Sequence, residues 1–182
     1  ILQKVKDKGD KAIRKFSKEF DGASLKRIQV SEKEINTAAS LLPEELKQAI
    51  QQAKKNIEQF HQSQKEEVKK VETMPGVLCW REAVGIEKVG LYIPGGSAPL
   101  FSTVLMLAVP AQIAGCKEII LSTPPAKDGS INPAILFAAR LCGITKIFKA
   151  GGVYSSAPIS TLVAAIIGRV SPSISSVTVA IF

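Results

Sequence analysis

The sequence predicts an α/β fold in which a parallel sheet of βαβαβ order follows a helical N-terminal segment. Two observations carry this prediction. Up to about residue 75 the apolar positions recur at helical spacing within a highly charged background. From about residue 76, short apolar runs typical of buried strands alternate with longer apolar segments typical of helices. Short links between alternating strands and helices imply right-handed crossovers, so the strands should lie parallel in one sheet.

Helix signals fill the N-terminal segment. Its first apolar stripe breaks near Gly9, and Asp10 is placed to N-cap the piece that follows. Ser31 and Glu34 have the spacing of a capping box. A long helix is predicted from Pro43, because proline suits the first turn and apolar residues then recur about every 3.5 positions, the spacing of a packing stripe. That stripe comprises Leu46, Ile50, Ala53, Ile57 and Phe60.

Strand and helix signals then alternate through residues 76–152. One helix is predicted to end at Gly115, with a kink or boundary at Pro110, and the next to run from Asn132, as N-cap, to Gly143. Trp80 and Phe101 are predicted to pack in the core, and shaping a cleft is the alternative for both. The predicted strands are residues 77–80, 89–93, 118–122 and 144–148, and the first of the two helices is residues 102–114.

A ligand of such a sheet binds beyond the carboxyl ends of the strands, which here are followed by residues 92–96, 123–125 and 150–152. The turn from Pro94 to Ser97 contains two glycines, which let a backbone approach a ligand, and it precedes a helix N-terminus, which favours anions. A tight turn without a ligand is the alternative, since the turn matches neither common phosphate-binding glycine motif. Tyr92 is placed either to contact a nicotinamide or adenine ring or to pack half-buried.

Groups that perform chemistry are scarce. The single histidine, His61, cannot build the usual zinc site and is predicted at a surface or helix cap. No nucleophile and base can be paired, so neither catalytic residues nor metal ligands are predicted. The cysteines Cys79, Cys116 and Cys142 are far apart, which disfavours a disulfide framework and suits a reducing cytoplasm. No apolar run is long enough to span a membrane.

The net charge of +8 does not indicate nucleic-acid binding. Residues 1–88 hold 18 Lys and Arg against 14 Asp and Glu, and residues 89–182 hold six against two. Mostly interleaved charges are typical of solvated helix faces, and with 5% aromatic residues there are few side chains on which bases stack. No nucleic-acid partner is therefore expected.

Several motifs together resemble those of the histidinol dehydrogenases. The most specific begins at Val89 and reads Val-Gly-Leu-Tyr-Ile-Pro-Gly-Gly-Ser-Ala-Pro. Ser-Thr-Pro-Pro from Ser122, Asn-Pro-Ala-Ile-Leu from Asn132 and Ala-Gly-Gly from Ala150 are also similar. The N-terminal Lys-Gly-Asp-Lys-Ala from Lys8 and Glu-Phe-Asp-Gly from Glu19 extend the resemblance over about residues 1–152.

This resemblance implies an oxidoreductase of histidine biosynthesis that converts L-histidinol through L-histidinaldehyde to L-histidine with two NAD. It also implies a zinc-dependent homodimer and an incomplete Rossmann-like parallel sheet. Tyr92 matches a tyrosine that contacts NAD, and Pro94 and Pro124 match prolines beside that cofactor. The implied domains are a helical segment over residues 1–75, a truncated NAD-side α/β domain over residues 76–152 and a divergent tail over residues 153–182.

The tail departs from the family. After Gly152 the family continues Ala-Gln-Ala, where this chain has Val153 and Tyr154, and the family's Glu-His pair and zinc ligands are absent. These groups supply the base and the metal, so the chain itself should not oxidise histidinol. A non-catalytic NAD-binding or dimerisation module is the alternative, and an aldehyde-type dehydrogenase a weaker one. The truncated sheet is expected to leave an exposed edge that the serine-rich tail partly covers.

Overall fold

A computed structural model describes residues 1–95, 99–151 and 178–180. The first half is mostly helical and the second half alternates strands with helices. The helices are α1 (Leu2–Lys8), α2 (Asp10–Phe16, continued by a π turn over Ser17–Asp21), α3 (Glu32–Ala38, continued by a 3₁₀ turn over Ala39–Leu41), α4 (Glu44–Gln62), α5 (Phe101–Ile113) and α6 (Pro133–Leu141). The strands are β1 (Val71–Met74), β2 (Val77–Cys79), β3 (Lys88–Tyr92), β4 (Glu118–Thr123), β5 (Lys146–Lys149) and β6 (Thr178–Ala180).

The N-terminal helices begin where capping chemistry places them. The capping box is confirmed: Ser31 Oγ accepts from the Glu34 N–H at 3.3 Å, and Glu34 Oε2 accepts from the Ser31 N–H at 2.8 Å. The break at Gly9 is also confirmed, but the predicted N-cap is one residue late. Gly9 itself caps α2 with φ 51°, a conformation that favours glycine, and Asp10 is the first helical residue.

Helix α4 joins the N-terminal segment to the core of the sheet. It begins directly after Pro43, as predicted, and Ile50 in its stripe is fully buried. Phe60, near the other end, is 62% exposed, so the apolar stripe of α4 extends beyond the part of the helix that is packed against the protein. Helix α4 packs against α5 and α3 packs against α6. A domain boundary at residue 75 stays a prediction.

The parallel sheet confirms the predicted α/β class. Strands β3, β4 and β5 are parallel neighbours, joined by α5 and α6. Leu91, Leu121 and Ile147 lie opposite one another in register, are each 0% exposed and share one core with both helices. Because side chains alternate along a strand, the next row, with Tyr92 and Ser122, faces the opposite side of the sheet.

On either side of the three strands β3, β4 and β5, the outer strand has a further backbone partner. At the β5 edge the Val30 N–H donates to the Ile147 carbonyl at 2.9 Å and the Lys149 N–H to the Ile28 carbonyl at 2.7 Å. At the other edge β6, three residues of the tail, pairs in parallel with β3. The tail therefore covers one edge as expected, while the expectation of an open edge is wrong at β5, where residues 28–30 close it.

The strand predicted over residues 77–80 stands apart from the parallel sheet. As β2 it pairs antiparallel with β1 around the turn at Gly76, and the side chains of both strands are exposed. Trp80 is 53% exposed, with Lys70 Nζ 5.4 Å from its ring centroid, so the prediction of a core position is wrong. Phe101, in contrast, is half-buried and packs against the core.

Helix α5 runs through Pro110 to Ile113, so the proline is not its boundary. Its end is stabilised at Gly115, whose φ of 84° is left-handed and whose N–H donates to the Gln112 carbonyl at 3.0 Å. Helix α6 is N-capped as predicted, because Asn132 Oδ1 accepts from the Ala134 N–H at 2.9 Å. The C-terminal end of α5 and the N-terminal end of α6 thus follow local capping chemistry.

A testable pH effect arises at the amino edge of the sheet, where Glu118 forms ion pairs with Lys146 and, at 3.6 Å, with Lys88. The Lys146 hydrogen bond holds the pKa of Glu118 below its usual value. The carboxylate therefore stabilises the fold above the unfolded glutamate pKa of about 4.3, and this contribution disappears as pH falls through the lower folded pKa. We expect urea unfolding between about pH 6 and about pH 3 to lose less stability in Glu118→Gln than in wild type. An equally steep acid dependence in both proteins would contradict this assignment.

Candidate functional site

The carboxyl ends of β3, β4 and β5 meet at one edge of the sheet. The register pairs Tyr92 with Ser122 and Ser122 with Phe148, so the three strands end side by side. The residues that follow form what we call the carboxyl rim, namely residues 93–95, 124–125 and 150–151. The predicted convergence of these segments is confirmed, while Gly96 and Gly152, also predicted there, lie outside the described residues.

Pro124 lies at the centre of the carboxyl rim, between two glycines. A Cβ atom on Gly95 would lie 2.5 Å from Pro124 Cγ. One on Gly151 would lie 2.5 Å from Pro124 Cα and closer still to its Cβ. Such distances are sterically forbidden, so the chain's own packing requires glycine at both positions. The rim is thereby a narrow surface of backbone and proline rings, with Gly95 exposed and Gly151 buried.

Tyr92 is the last residue of β3, directly before the rim. It is 2% exposed and so more deeply buried than the half-buried packing that was the alternative to a ligand contact. Pro94 and Pro124 are partly exposed on the rim itself. The three residues singled out from the sequence therefore occupy the same end of the sheet, with the tyrosine buried and the prolines partly exposed.

Ser122 connects the rim segments, which the sequence reasoning missed. It is 1% exposed, and its Oγ donates to the Ala150 carbonyl at 2.8 Å. The Ala150 N–H donates to the Thr123 carbonyl at 3.0 Å, and the Ile93 N–H to the Ser122 carbonyl at 2.9 Å. The available signal was a serine inside an apolar strand, because a buried hydroxyl needs a hydrogen-bond partner.

An ion pair between a buried lysine and a partly exposed glutamate beside the rim was also missed. Lys149 ends β5 and is 8% exposed, and its Nζ lies 2.5 Å from Glu34 Oε1 in the first turn of α3. Burial alone would raise the pKa of Glu34, but hydrogen bonds from Lys149 and Ser31 outweigh it and hold the pKa below its usual value. The Glu34 carboxyl is therefore ionised near neutral pH.

The start of α5 is the feature of this edge best suited to an anion. This helix of 13 residues follows the β3 end of the rim, and no side chain of the described residues caps its N-terminus at Leu100. Helices α3 and α6, in contrast, are capped by Ser31 and Asn132. The first amides of a helix carry partial positive charge and accept anions or capping side chains as partners.

The described residues contain neither an evident nucleophile nor a metal site. Burial raises the pKa of Cys142 to about 11 and also raises that of Cys116, so both thiols stay protonated near neutral pH. His61 lies in the last turn of α4, where its Nδ1 is 2.7 Å from Gln64 Oε1, as predicted for a surface or capping position. Within the described ranges no three His, Cys, Asp or Glu side chains are grouped to hold a metal ion.

No helix in the described part of the chain has both the length and the apolar character needed to cross a membrane.

Comparisons with known proteins agree with the motifs. The family model described as histidinol dehydrogenase matches residues 1–165, which extends beyond the motif-based resemblance. The histidinol dehydrogenase of Bacteroides thetaiotaomicron is 62% identical over 157 residues, which is 86% of this chain and 37% of that protein. The Mannheimia succiniciproducens enzyme is 56% identical over 152 residues, or 84% of this chain and 35% of that protein.

A solved structure is similar in both fold and sequence. The crystal structure of histidinol dehydrogenase from Elizabethkingia anophelis superimposes with a TM-score of 0.80 at 58% identity, covering 84% of this chain and 35% of that one. The chain thus spans little more than a third of the length of these relatives. With a family match over most of its length and the same arrangement of helices and parallel strands, the chain belongs to the histidinol dehydrogenase family.

Proposed function

We propose that this chain forms the NAD side of a histidinol dehydrogenase, an oxidoreductase that converts L-histidinol to L-histidine. The observation that carries the proposal is the carboxyl rim, where Gly95 and Gly151 meet Pro124 and the chain continues from Pro94 towards the start of α5. In parallel α/β sheets, this edge is where ligands bind. The homodimeric state and cytoplasmic location implied by the family belong to the same proposal.

The dinucleotide fits this edge by its charge and its flat rings. The pyrophosphate would lie at the start of α5, whose first-turn residues Phe101, Ser102 and Thr103 include no acidic side chain. Pro94 and Pro124 offer apolar ring surfaces beside it, and the exposed Gly95 has no side chain to hinder close approach. The bound cofactor supplies the hydride acceptor for oxidation of the alcohol.

Tyr92 takes part from below the rim. With 2% of its surface exposed, it supports the residues that face the cofactor and leaves only a small part of its ring for direct contact. Its position in register with Ser122 ties it to the same hydrogen-bonded edge. We therefore assign NAD binding to Tyr92, Pro94 and Pro124 together, with the prolines at the surface and the tyrosine as the floor.

Zinc does not fit the described residues. Zinc sites use three or four His, Cys or carboxylate ligands, and no such group is present within the described ranges. Cys142 is buried with a raised pKa, and His61 makes a local contact with Gln64. We derive no step of the reaction through a metal bound to these residues.

Proton abstraction from the alcohol likewise lacks a candidate among the described side chains of the rim. Glu34 is the carboxylate paired with the carboxyl end of β5, and it is engaged by Lys149 and Ser31. The alternative, an NAD-binding or dimerisation module without catalysis, therefore describes this chain by itself, while the oxidation belongs to the complete family protein.

Binding without turnover is the expected result for the 182-residue chain. Incubated with L-histidinol, NAD and zinc, it should form no NADH above a protein-free control, because the described residues offer neither a free base at the rim nor a group of metal ligands. The assay is NADH absorbance, with a full-length family enzyme as positive control. Histidinol-dependent NADH formation by the purified chain would overturn the assignment of this chain to the cofactor side alone.

A further inference from the structure

We propose that the ion pair between Glu34 and Lys149 is a positioning pair for the NAD site. It fixes the carboxyl end of β5 so that Gly151 stays against Pro124. The inference rests on the proposed function for its consequence in NAD binding, but the positioning itself is a property of this chain. From the sequence, Glu34 was assigned only a capping-box role and Lys149 none.

Lys149 is held at two points. Its backbone N–H donates to the Ile28 carbonyl at 2.7 Å, and its Nζ lies 2.5 Å from Glu34 Oε1. At 8% exposure the ammonium has lost most of its hydration and requires a charged partner. Glu34, in α3 and 115 residues before Lys149 in the sequence, is this charged partner. The end of β5 is therefore fastened to a neighbouring helix through a single side chain.

Glu34 is itself a rigid anchor, because each of its oxygens has a separate task. Oε2 accepts from the Ser31 N–H at 2.8 Å and from Ser31 Oγ at 2.7 Å, while Oε1 faces Lys149. The capping box thus orients the carboxylate before the lysine meets it. Since α3 also packs against α6, the anchor lies on a helix that is itself held against the sheet's helical layer.

The path from Lys149 to the cofactor rim is two residues long. Ala150 makes two hydrogen bonds to β4. Its N–H donates to the Thr123 carbonyl at 3.0 Å, and its carbonyl accepts from Ser122 Oγ at 2.8 Å. Gly151 then lies against Pro124, in a contact too close for any Cβ atom. A shift of the β5 end would open this contact and displace Pro124, one of the proposed NAD residues.

A second ion pair in the same sheet provides a matched control. Glu118 and Lys146 open β4 and β5 at the amino edge, the opposite end from the rim. Glu118→Gln therefore removes the ion pairs with Lys146 and Lys88 at the amino edge of the same sheet. Glu34→Gln removes the pair at the carboxyl edge while keeping a capping-box residue, because glutamine also serves at that position.

The test measures amide hydrogen exchange at Ala150 and Gly151 together with the Kd for NAD. In Glu34→Gln we expect exchange at Ala150 to rise about tenfold and the NAD Kd to rise by about the same factor, since a hydrogen bond between charged groups is lost. Lys149→Met should behave similarly, and Lys149→Arg should stay near wild type because it keeps the charge. In Glu118→Gln, exchange at Ala150 should change only by the amount that global stability explains.

Two results would overturn the inference. One is equal Ala150 exchange in Glu34→Gln and Glu118→Gln after correction for global stability. The other is unchanged NAD affinity in Glu34→Gln when wild type binds NAD. If wild type does not bind NAD, the proposed function fails, and the exchange measurement alone decides whether the pair positions the rim.

Discussion

Replacement of Gly151 by alanine is expected to destabilise the protein by about 1–3 kcal/mol, the usual cost of forcing extra atoms into a packed interior. The new Cβ would lie 2.5 Å from Pro124 Cα, which is backbone and cannot move aside by a rotamer change. Separation of Gly151 from Pro124 would also open the carboxyl rim, so NAD binding should be lost. Urea unfolding measures the first effect and an NAD titration the second.

Gly95 provides the control for this substitution. Its added Cβ would meet Pro124 Cγ at 2.5 Å, whereas Pro124 Cβ is 3.5 Å away, an ordinary contact distance. Pro124→Ala removes Cγ and should therefore restore stability to Gly95→Ala but not to Gly151→Ala. The packing account would be wrong if Gly151→Ala unfolded at the same urea concentration as wild type, or if Pro124→Ala rescued both variants equally.

The largest loss of stability is expected for Leu121→Ala. Leu121 lies in the central strand β4, is 0% exposed and belongs to the core shared with α5 and α6. Removing a buried leucine side chain costs about 2–5 kcal/mol, through lost burial and the cavity that remains. Leu78→Ala in the β1–β2 hairpin is the matched control, because Leu78 is 55% exposed.

Chemical denaturation of both variants checks this expectation. Leu78→Ala should change the unfolding free energy by about 0.5 kcal/mol or less, as is typical of surface positions. Similar losses in the two variants would mean that the hairpin side chains are as buried in solution as those of the sheet, in contradiction to the described packing.

Local signals were sufficient for much of the fold. The capping box of Ser31 and Glu34 and the N-cap at Asn132 depend on residues within one turn of the chain, so their spacing predicts them. The buried strands were found because short apolar runs lay between turn residues, although the bounds of β5 moved by one to two residues. The position of Tyr92 at a strand end left a ring contact and half-buried packing open, and the family resemblance then matched Tyr92, Pro94 and Pro124 to residues at the NAD site.

Long-range partners could not be predicted in this way. Residues 28–30 are too few to show a period, yet they close the β5 edge through pairings with Ile147 and Lys149. The sequence of β1 gave no clear strand signal, and this segment is a strand because it pairs with β2. The Glu34–Lys149 pair joins residues 115 positions apart, and only the folded chain brings them together.

The central claim is that NAD binds at the carboxyl rim, above Tyr92. The most direct measurement is a calorimetric titration of wild type, Tyr92→Leu and Phe148→Leu with NAD. Both variants remove a buried aromatic ring from the same face of the sheet, but Phe148 lies two strands away from Tyr92. We expect saturable binding by wild type and Phe148→Leu, and an affinity at least about tenfold weaker in Tyr92→Leu, as for loss of an aromatic support. No binding by wild type, or equal affinity in wild type and Tyr92→Leu, would contradict the claim.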